Sequence, residues 1–116
     1  MESAAQAKKY ASMAEFYPFY LSEHSNRTSR RLHFVGTTLG LCWLSAAVLL
    51  LDPRFLLAGL VCGYAFAWVG HFFFEKNRPA TFTHPWWSLI SDFRMFWLFL
   101  AGGLRSHLES AGVATR

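Results

Sequence analysis

FLLAGLVCGYAFAWVGHFFFEKNRPATFTH, residues 55–84, decides how this chain folds. Its first twenty residues, 55–74, carry no Asp, Glu, Lys or Arg, and a single histidine, His71. At about 1.5 Å per residue they extend about 30 Å, the thickness of a bilayer's hydrocarbon core. The polar residues come immediately afterwards. His71 and Glu75 are four apart and share a face if the helix continues. Asn77, Arg78 and Pro79 end it, and His84 stands directly before Pro85. Polar chemistry is therefore placed at the end of a helix of membrane length.

Upstream, residues 34–51 form a second uncharged run, of eighteen residues. Only Asp52, Pro53 and Arg54 separate the two runs. Asp52 suits an N-cap and Pro53 the first helical position, so the second helix starts at once and an antiparallel hairpin is expected. The hairpin brings His33, at the start of the first helix, to the same end as His71. His24 and His84 lie just outside those ends. Gly36 and Gly40 form a GxxxG pair on the side of His33, where a neighbouring helix can approach closely.

Composition agrees. Of 116 residues, 53% are hydrophobic, 18% aromatic and only 16% charged, against about 25% charged in soluble domains. A soluble chain of this length has little interior in which to hide two such helices. The net charge of +4 flanks apolar runs, so it reads as an orientation signal and not as a nucleic-acid footprint. Cys42 and Cys62 lie one in each run without CxxC spacing and read as small buried hydrophobes.

The flanking segments complete an all-α, single-domain expectation over residues 1–116: a small integral-membrane helical bundle built on a transmembrane hairpin. Residues 1–24 are expected to form an N-terminal interfacial helix, interrupted at Pro18 and rich in aromatic rings that favour the headgroup level. Helices are expected over residues 30–51, 53–75 and 85–108. His24 and His33 are nine apart, on opposite faces of an unbroken helix, so the chain must bend between them. Ser29 is a candidate N-cap after that bend. The third helix opens at His84-Pro85 and carries Ser88, Asp92 and Arg94. It either spans with its polar turns shielded, lies in the interface or re-enters, because a charge at mid-membrane costs about 2.5–3.5 kcal/mol on insertion scales. Lys8, Lys9, Arg27, Arg30, Arg31, Lys76 and Arg78 stand at the histidine end, against Arg54 at the hairpin turn. This bias puts the histidine end in the cytoplasm, at the inner membrane in a bacterium.

Four imidazoles converging on one membrane face suggest a metal site, with His24, His33, His71 and His84 as candidate ligands. Three or four histidines can bind directly, with Glu75 and Asp92 accepting their other ring N–H. Alternatively, two histidines and Glu75 can form a facial triad. Imidazole suits iron, zinc, copper or nickel, so composition does not name the ion. Bis-histidine haem would leave Glu75 and two histidines unused, and the HxxxH and HxxHH clusters of the di-iron lipid hydroxylases and desaturases are absent from the sequence.

FYLSEHSNRTSRRLHFVGT and WVGHFFFEKNRPATFTHPWWSLISDFRMF together resemble the membrane-bound 2-hydroxy-fatty-acid dioxygenase family, whose founding fungal member acts in fatty acid α-oxidation during phytosphingosine breakdown. The match runs over residues 16–96. The resemblance implies a non-haem Fe(II) enzyme, independent of 2-oxoglutarate, that uses O2 to convert a 2-hydroxy fatty acid into the acid one carbon shorter with release of CO2. It places the family histidines on His24, His33, His71 and His84. Zinc or another divalent ion stays open as the metal, and so does homo-oligomerisation. Arg78, Arg27 or Arg31 could balance the substrate carboxylate. Tyr64 and Trp68, on the face of His71, are candidate liners for the acyl chain. The alternative is a non-enzymatic membrane protein, a helper subunit or lipid binder, with structural or metal-binding histidines.

Overall fold

The computed structural model describes residues 10–113, and residues 1–9 of the expected N-terminal helix, with Lys8 and Lys9, lie outside them, as does Arg116. All regular structure among the described residues is helical: α1 Met13–Ser22, α2 Arg27–Leu50, α3 Arg54–Val69, α4 Pro85–Ala101 and α5 Leu104–Ser110, with a π-helical turn at Gly70–Glu75 and a 3-10 turn at Ala80–Phe82.

The hairpin of α2 and α3 is the centre of the fold. The stretches Arg27–Leu50 and Arg54–Glu75 are long and apolar enough to cross a membrane, and only 22% of each apolar window is buried within the protein. Asp52 caps α3 from outside, its carboxylate accepting the Arg54 N–H at 3.0 Å. The GxxxG pair of α2 meets a second pair on α3. A Cβ on Gly36 would stand 2.8 Å from the Cβ of Phe66 and 3.1 Å from the Gly63 carbonyl oxygen, and one on Gly59 would stand 3.1 Å from that of Gly40. Nearer the polar end, Gly70 is pressed on Ser29, whose Oγ lies 2.8 Å from where a Cβ would be. Small residues thus bring the two backbones together along most of their length.

α2 begins three residues earlier than expected. Asn26, not Ser29, is its N-cap, with Oδ1 accepting the N–H groups of Thr28 and Ser29 at 2.8 and 3.1 Å. Ser29 is instead buried in the interface with α3. Pro18 does not interrupt α1, but sits within it on its exposed side while Phe16, Tyr17, Tyr20 and Leu21 are buried. Burying four large side chains outweighs the roughly 3 kcal/mol that an internal proline costs.

The single helix expected over residues 85–108 is two helices, broken at Gly102, which has φ +86°, a conformation that suits a residue without Cβ. α4 opens at the histidine end, where the ring of its N-cap His84 packs on Phe16 of α1. It also returns there. Leu104 and Leu108 of α5 join Phe16 and Tyr17 in one buried cluster, and His107 faces Tyr17. α1, α4 and α5 therefore form a cap over the open end of the hairpin.

Candidate metal centre

Three imidazoles meet beneath this cap, each delivered by a different local device. His24 follows the end of α1, in the bend that Asn26 closes. His33 lies on α2 between Ser29 and Gly36, on the close-packed face. His71 enters at the π-helical turn that ends the second apolar run. All three are buried, and their ligating nitrogens lie within 4.8 Å of one another. Nε2 of His24 is 3.0 Å from Nε2 of His33, which is 3.4 Å from Nε2 of His71.

The other ring nitrogens explain why these atoms face inward. Nδ1 of His24 lies 2.7 Å from the Tyr20 carbonyl oxygen. A carbonyl only accepts, so this nitrogen carries the proton and Nε2 presents a lone pair. Nδ1 of His71 lies 2.7 Å from Oδ1 of Asn77, whose amide nitrogen donates to the Glu23 carbonyl at 3.0 Å. That second bond fixes which end of the amide faces the ring, so His71 too has a protonated Nδ1 and a bare Nε2. Nδ1 of His33 faces Oδ1 of Asp92 at 3.7 Å, and Asp92 accepts the Tyr20 hydroxyl. Its carboxylate favours the same tautomer.

Inward-facing lone pairs this close repel unless a cation lies between them. An ion holding imidazole nitrogens at about 2.1 Å, as zinc does, separates neighbouring donors by about 3.0 Å at right angles and about 3.4 Å in a tetrahedron. The His24–His33 and His33–His71 spacings match these values and all three nitrogens lie within 4.8 Å of one another, so the three histidines can hold a metal ion. Burial, reinforced by the neighbouring His33 and His71 rings, holds the basicity of His24 well below that of a free imidazole, which keeps it in the metal-binding neutral form.

His84 is not in this group. Its ring stacks on Trp87, with centroids 5.5 Å apart, and lies 5.0 Å from Phe16, while Nδ1 meets the Thr83 hydroxyl. Phe16 and Tyr20, one turn apart on α1, stand between it and His24. Glu75 also faces elsewhere. In the wider π-helical turn, position +4 no longer lies over the starting residue. The Glu75 carboxylate accepts the Asn26 N–H at 3.0 and 2.9 Å and the Ser25 hydroxyl at 3.2 Å. It secures the bend that carries His24, and the place beside His71 is taken by Asn77. Asp92 stands behind His33, at 3.7 Å from Nδ1.

A groove of about 360 Å3 begins at His33 and Asp92 and follows the glycine-lined seam between α2 and α3 as far as Leu44 and Leu56. Tyr64 lines it. Trp68 does not, packing instead on Tyr64 and Phe82. Arg27 and Arg31 line a different cleft, together with Arg30 and Arg105. Arg78 is exposed in the loop after Asn77. Arg30 is a site residue that spacing did not single out: it is buried and donates to the His24 carbonyl at 2.7 Å, bracing the bend together with Glu75.

No curated protein and no solved structure matches the chain. The family described as 2-hydroxy-palmitic acid dioxygenase Mpo1-like matches residues 10–104, which include α1 to α4 and all three clustered histidines. Over most of its length, then, with a buried trio of imidazoles inside the matched region, the chain belongs to the Mpo1-like family.

Proposed function

We propose that this protein is a membrane-embedded, Fe(II)-dependent dioxygenase, independent of 2-oxoglutarate, that shortens a 2-hydroxy fatty acid by one carbon. The observation that carries this reading is the trio of Nε2 atoms, each turned inward by an acceptor behind its ring. His24, His33 and His71 would hold the ion, leaving coordination positions open. When bound, the metal supplies Lewis acidity and redox chemistry toward O2.

The overall reaction balances without a co-substrate. A 2-hydroxy acid and O2 give the shorter acid, CO2 and water: the bond between C1 and C2 breaks, C1 leaves as CO2, and C2 rises from alcohol to carboxyl. The four electrons released reduce O2 completely. The chain's part is positioning. Tyr20, Asn77 and Asp92 orient the imidazoles, and the groove below His33 takes the acyl chain and excludes water. Arg78, in the loop beside Asn77, is available to meet the substrate carboxylate.

Membrane insertion is part of the proposal. Helices that pack as the core of a soluble protein are mostly buried, whereas α2 and α3 expose leucines along their flanks, such as Leu49 at 80% and Leu57 at 65%. The basic residues favour a cytoplasmic histidine end, and Arg105, beside Arg27 and Arg31, adds to that side.

The test is anaerobic reconstitution of purified protein with Fe(II), followed by O2 and 2-hydroxypalmitate. About one iron per chain and formation of the C15 acid are expected. His71→Ala should lose both. Full iron retention by His71→Ala removes the proposed site. An iron-loaded wild type that yields no shortened acid favours instead a non-enzymatic metal-binding membrane protein.

A further inference from the structure

A second cleft, of about 630 Å3, opens where the first turns of α2 meet the α4–α5 junction. Arg27, Arg30, Arg31 and Arg105 surround it, and Phe34 and Phe99 form its floor, their rings stacked with centroids 4.2 Å apart. It lies on a face of α2 turned away from α3, since Arg27, Arg31 and Phe34 follow one another at helical spacing while Ser29, His33 and Gly36 occupy the seam.

Three of these guanidiniums have no carboxylate partner among the described residues, whereas Arg30 feels the Glu75 carboxylate. Among the described residues no carboxylate lies within ion-pairing distance of Arg27, Arg31 or Arg105; the ion pairs are His33 with Asp92 and Arg54 with Asp52. Arg27, Arg31 and Arg105 make no hydrogen bond to the histidine trio, whereas Arg30 holds the His24 carbonyl. Four guanidiniums over an aromatic floor form a site with two requirements, an anion with several oxygens above and hydrocarbon below. A free anion satisfies the first alone, and a zwitterionic lipid brings its own cation to the arginines.

We infer that this cleft binds an anionic phospholipid, its phosphate held by Arg27, Arg31 and Arg105 and its acyl chains lying against Phe34 and Phe99. The inference rests on the membrane reading above, because only an embedded hairpin puts the start of α2 at headgroup level. A lipid seated here touches the metal centre through one link: Arg30, on the cleft wall, holds the carbonyl of His24. Occupancy would therefore stiffen the bend that carries the first histidine.

Melting the detergent-purified protein with phosphatidylglycerol, phosphatidylcholine or inorganic phosphate tests the assignment. Phosphatidylglycerol in large excess should raise the melting temperature by about 5 °C over phosphatidylcholine. The R27Q/R31Q/R105Q variant should lose that increment yet load iron to the wild-type level, with R31Q alone as the milder variant should the triple one fail to fold. Equal shifts with the two lipids, or an increment that survives in the Gln variants, overturns the inference. A shift with inorganic phosphate matching that with phosphatidylglycerol overturns the lipid in favour of a simple anion site. Iron loading of the wild type is read separately, so failure of the lipid site and failure of the metal site give different results.

Discussion

Asn77, not Glu75, stands behind the His71 ring, and the difference is testable. Asn77 holds Nδ1 of His71, whereas Glu75 holds the backbone of Asn26. Removing an acceptor behind a metal-binding imidazole typically weakens metal affinity by about 10- to 100-fold. Asn77→Ala is therefore expected to raise the iron dissociation constant by that factor, measured by competition with a chelator. Asn77→Asp, which keeps an acceptor, should retain most of the affinity. Glu75→Ala should instead lower stability by about 1.5–3 kcal/mol, the worth of hydrogen bonds to a charged group, while folded protein still loads iron. Iron loss in Glu75→Ala under conditions where the fold persists would restore the facial triad. His24 adds a pH dependence. Burial, then the neighbouring rings, lowers its basicity in the folded state, so the unfolded chain binds the extra proton. Metal-free protein is then expected to be most stable above about pH 6.5 and to lose stability as pH falls below that value, because protons drive unfolding there. His24→Phe should flatten the melting temperature between pH 7 and 5; an unchanged slope assigns the effect to other groups.

At the scale of the elements, the hairpin and its meeting of His33 with His71 were legible in the sequence, because two uncharged runs around a three-residue connection leave few alternatives. Gly59 and Gly63 were equally visible as a second GxxxG, and it is this pair that the first one meets. Three features were not legible. The π-helical turn is one: it leaves the residue types of a helix end unchanged while rotating Glu75 away from His71. The break at Gly102 is another, since consecutive glycines in an apolar helix can be either a packing surface or a stop. The third is the place of His84, which depends on which aromatic ring of α1 lies beside it. The seam makes a graded prediction. A Cβ at Gly36 would meet the Phe66 Cβ at 2.8 Å, whereas one at Gly40 meets its nearest neighbour, the Gly59 oxygen, at 3.4 Å. Gly36→Ala is expected to cost about 1–3 kcal/mol through overpacking and to lower iron loading by parting His33 from His71. Gly40→Ala should lie near neutral, since the lost backbone freedom of glycine offsets the contact. The ordering is read from detergent melts and iron content; equal effects at the two positions would show that the seam is looser than the backbone distances imply.

The whole molecule joins a buried histidine trio to a groove that leads away along the hairpin. From His33 to Leu44 is eleven residues, about 16 Å of helix, so the groove can gauge an acyl chain. Thr37 lines it one turn below His33, and Thr37→Trp is expected to block it there. Each methylene denied burial forfeits about 0.8 kcal/mol, about fourfold in kcat/KM. Long 2-hydroxy acids should therefore lose far more activity than short ones while iron loading persists, and a uniform loss across chain lengths would place the acyl chain elsewhere.

The cap makes a prediction about topology as well. If α4 crossed the membrane, α5 would emerge beside the hairpin turn. Instead Leu104 and Leu108 pack with Phe16 and Tyr17 at the histidine end. Leu51 and Ser106, both exposed, should therefore lie on opposite sides of the bilayer. In a background where Cys42 and Cys62 are replaced by serine, Leu51→Cys is expected to react with a membrane-impermeant thiol reagent only from outside the cell. Ser106→Cys should react only after the membrane is opened. Labelling of both from the same side would make α4 a third span. It would also detach α5 from α1, and with it the cap that encloses the three imidazoles.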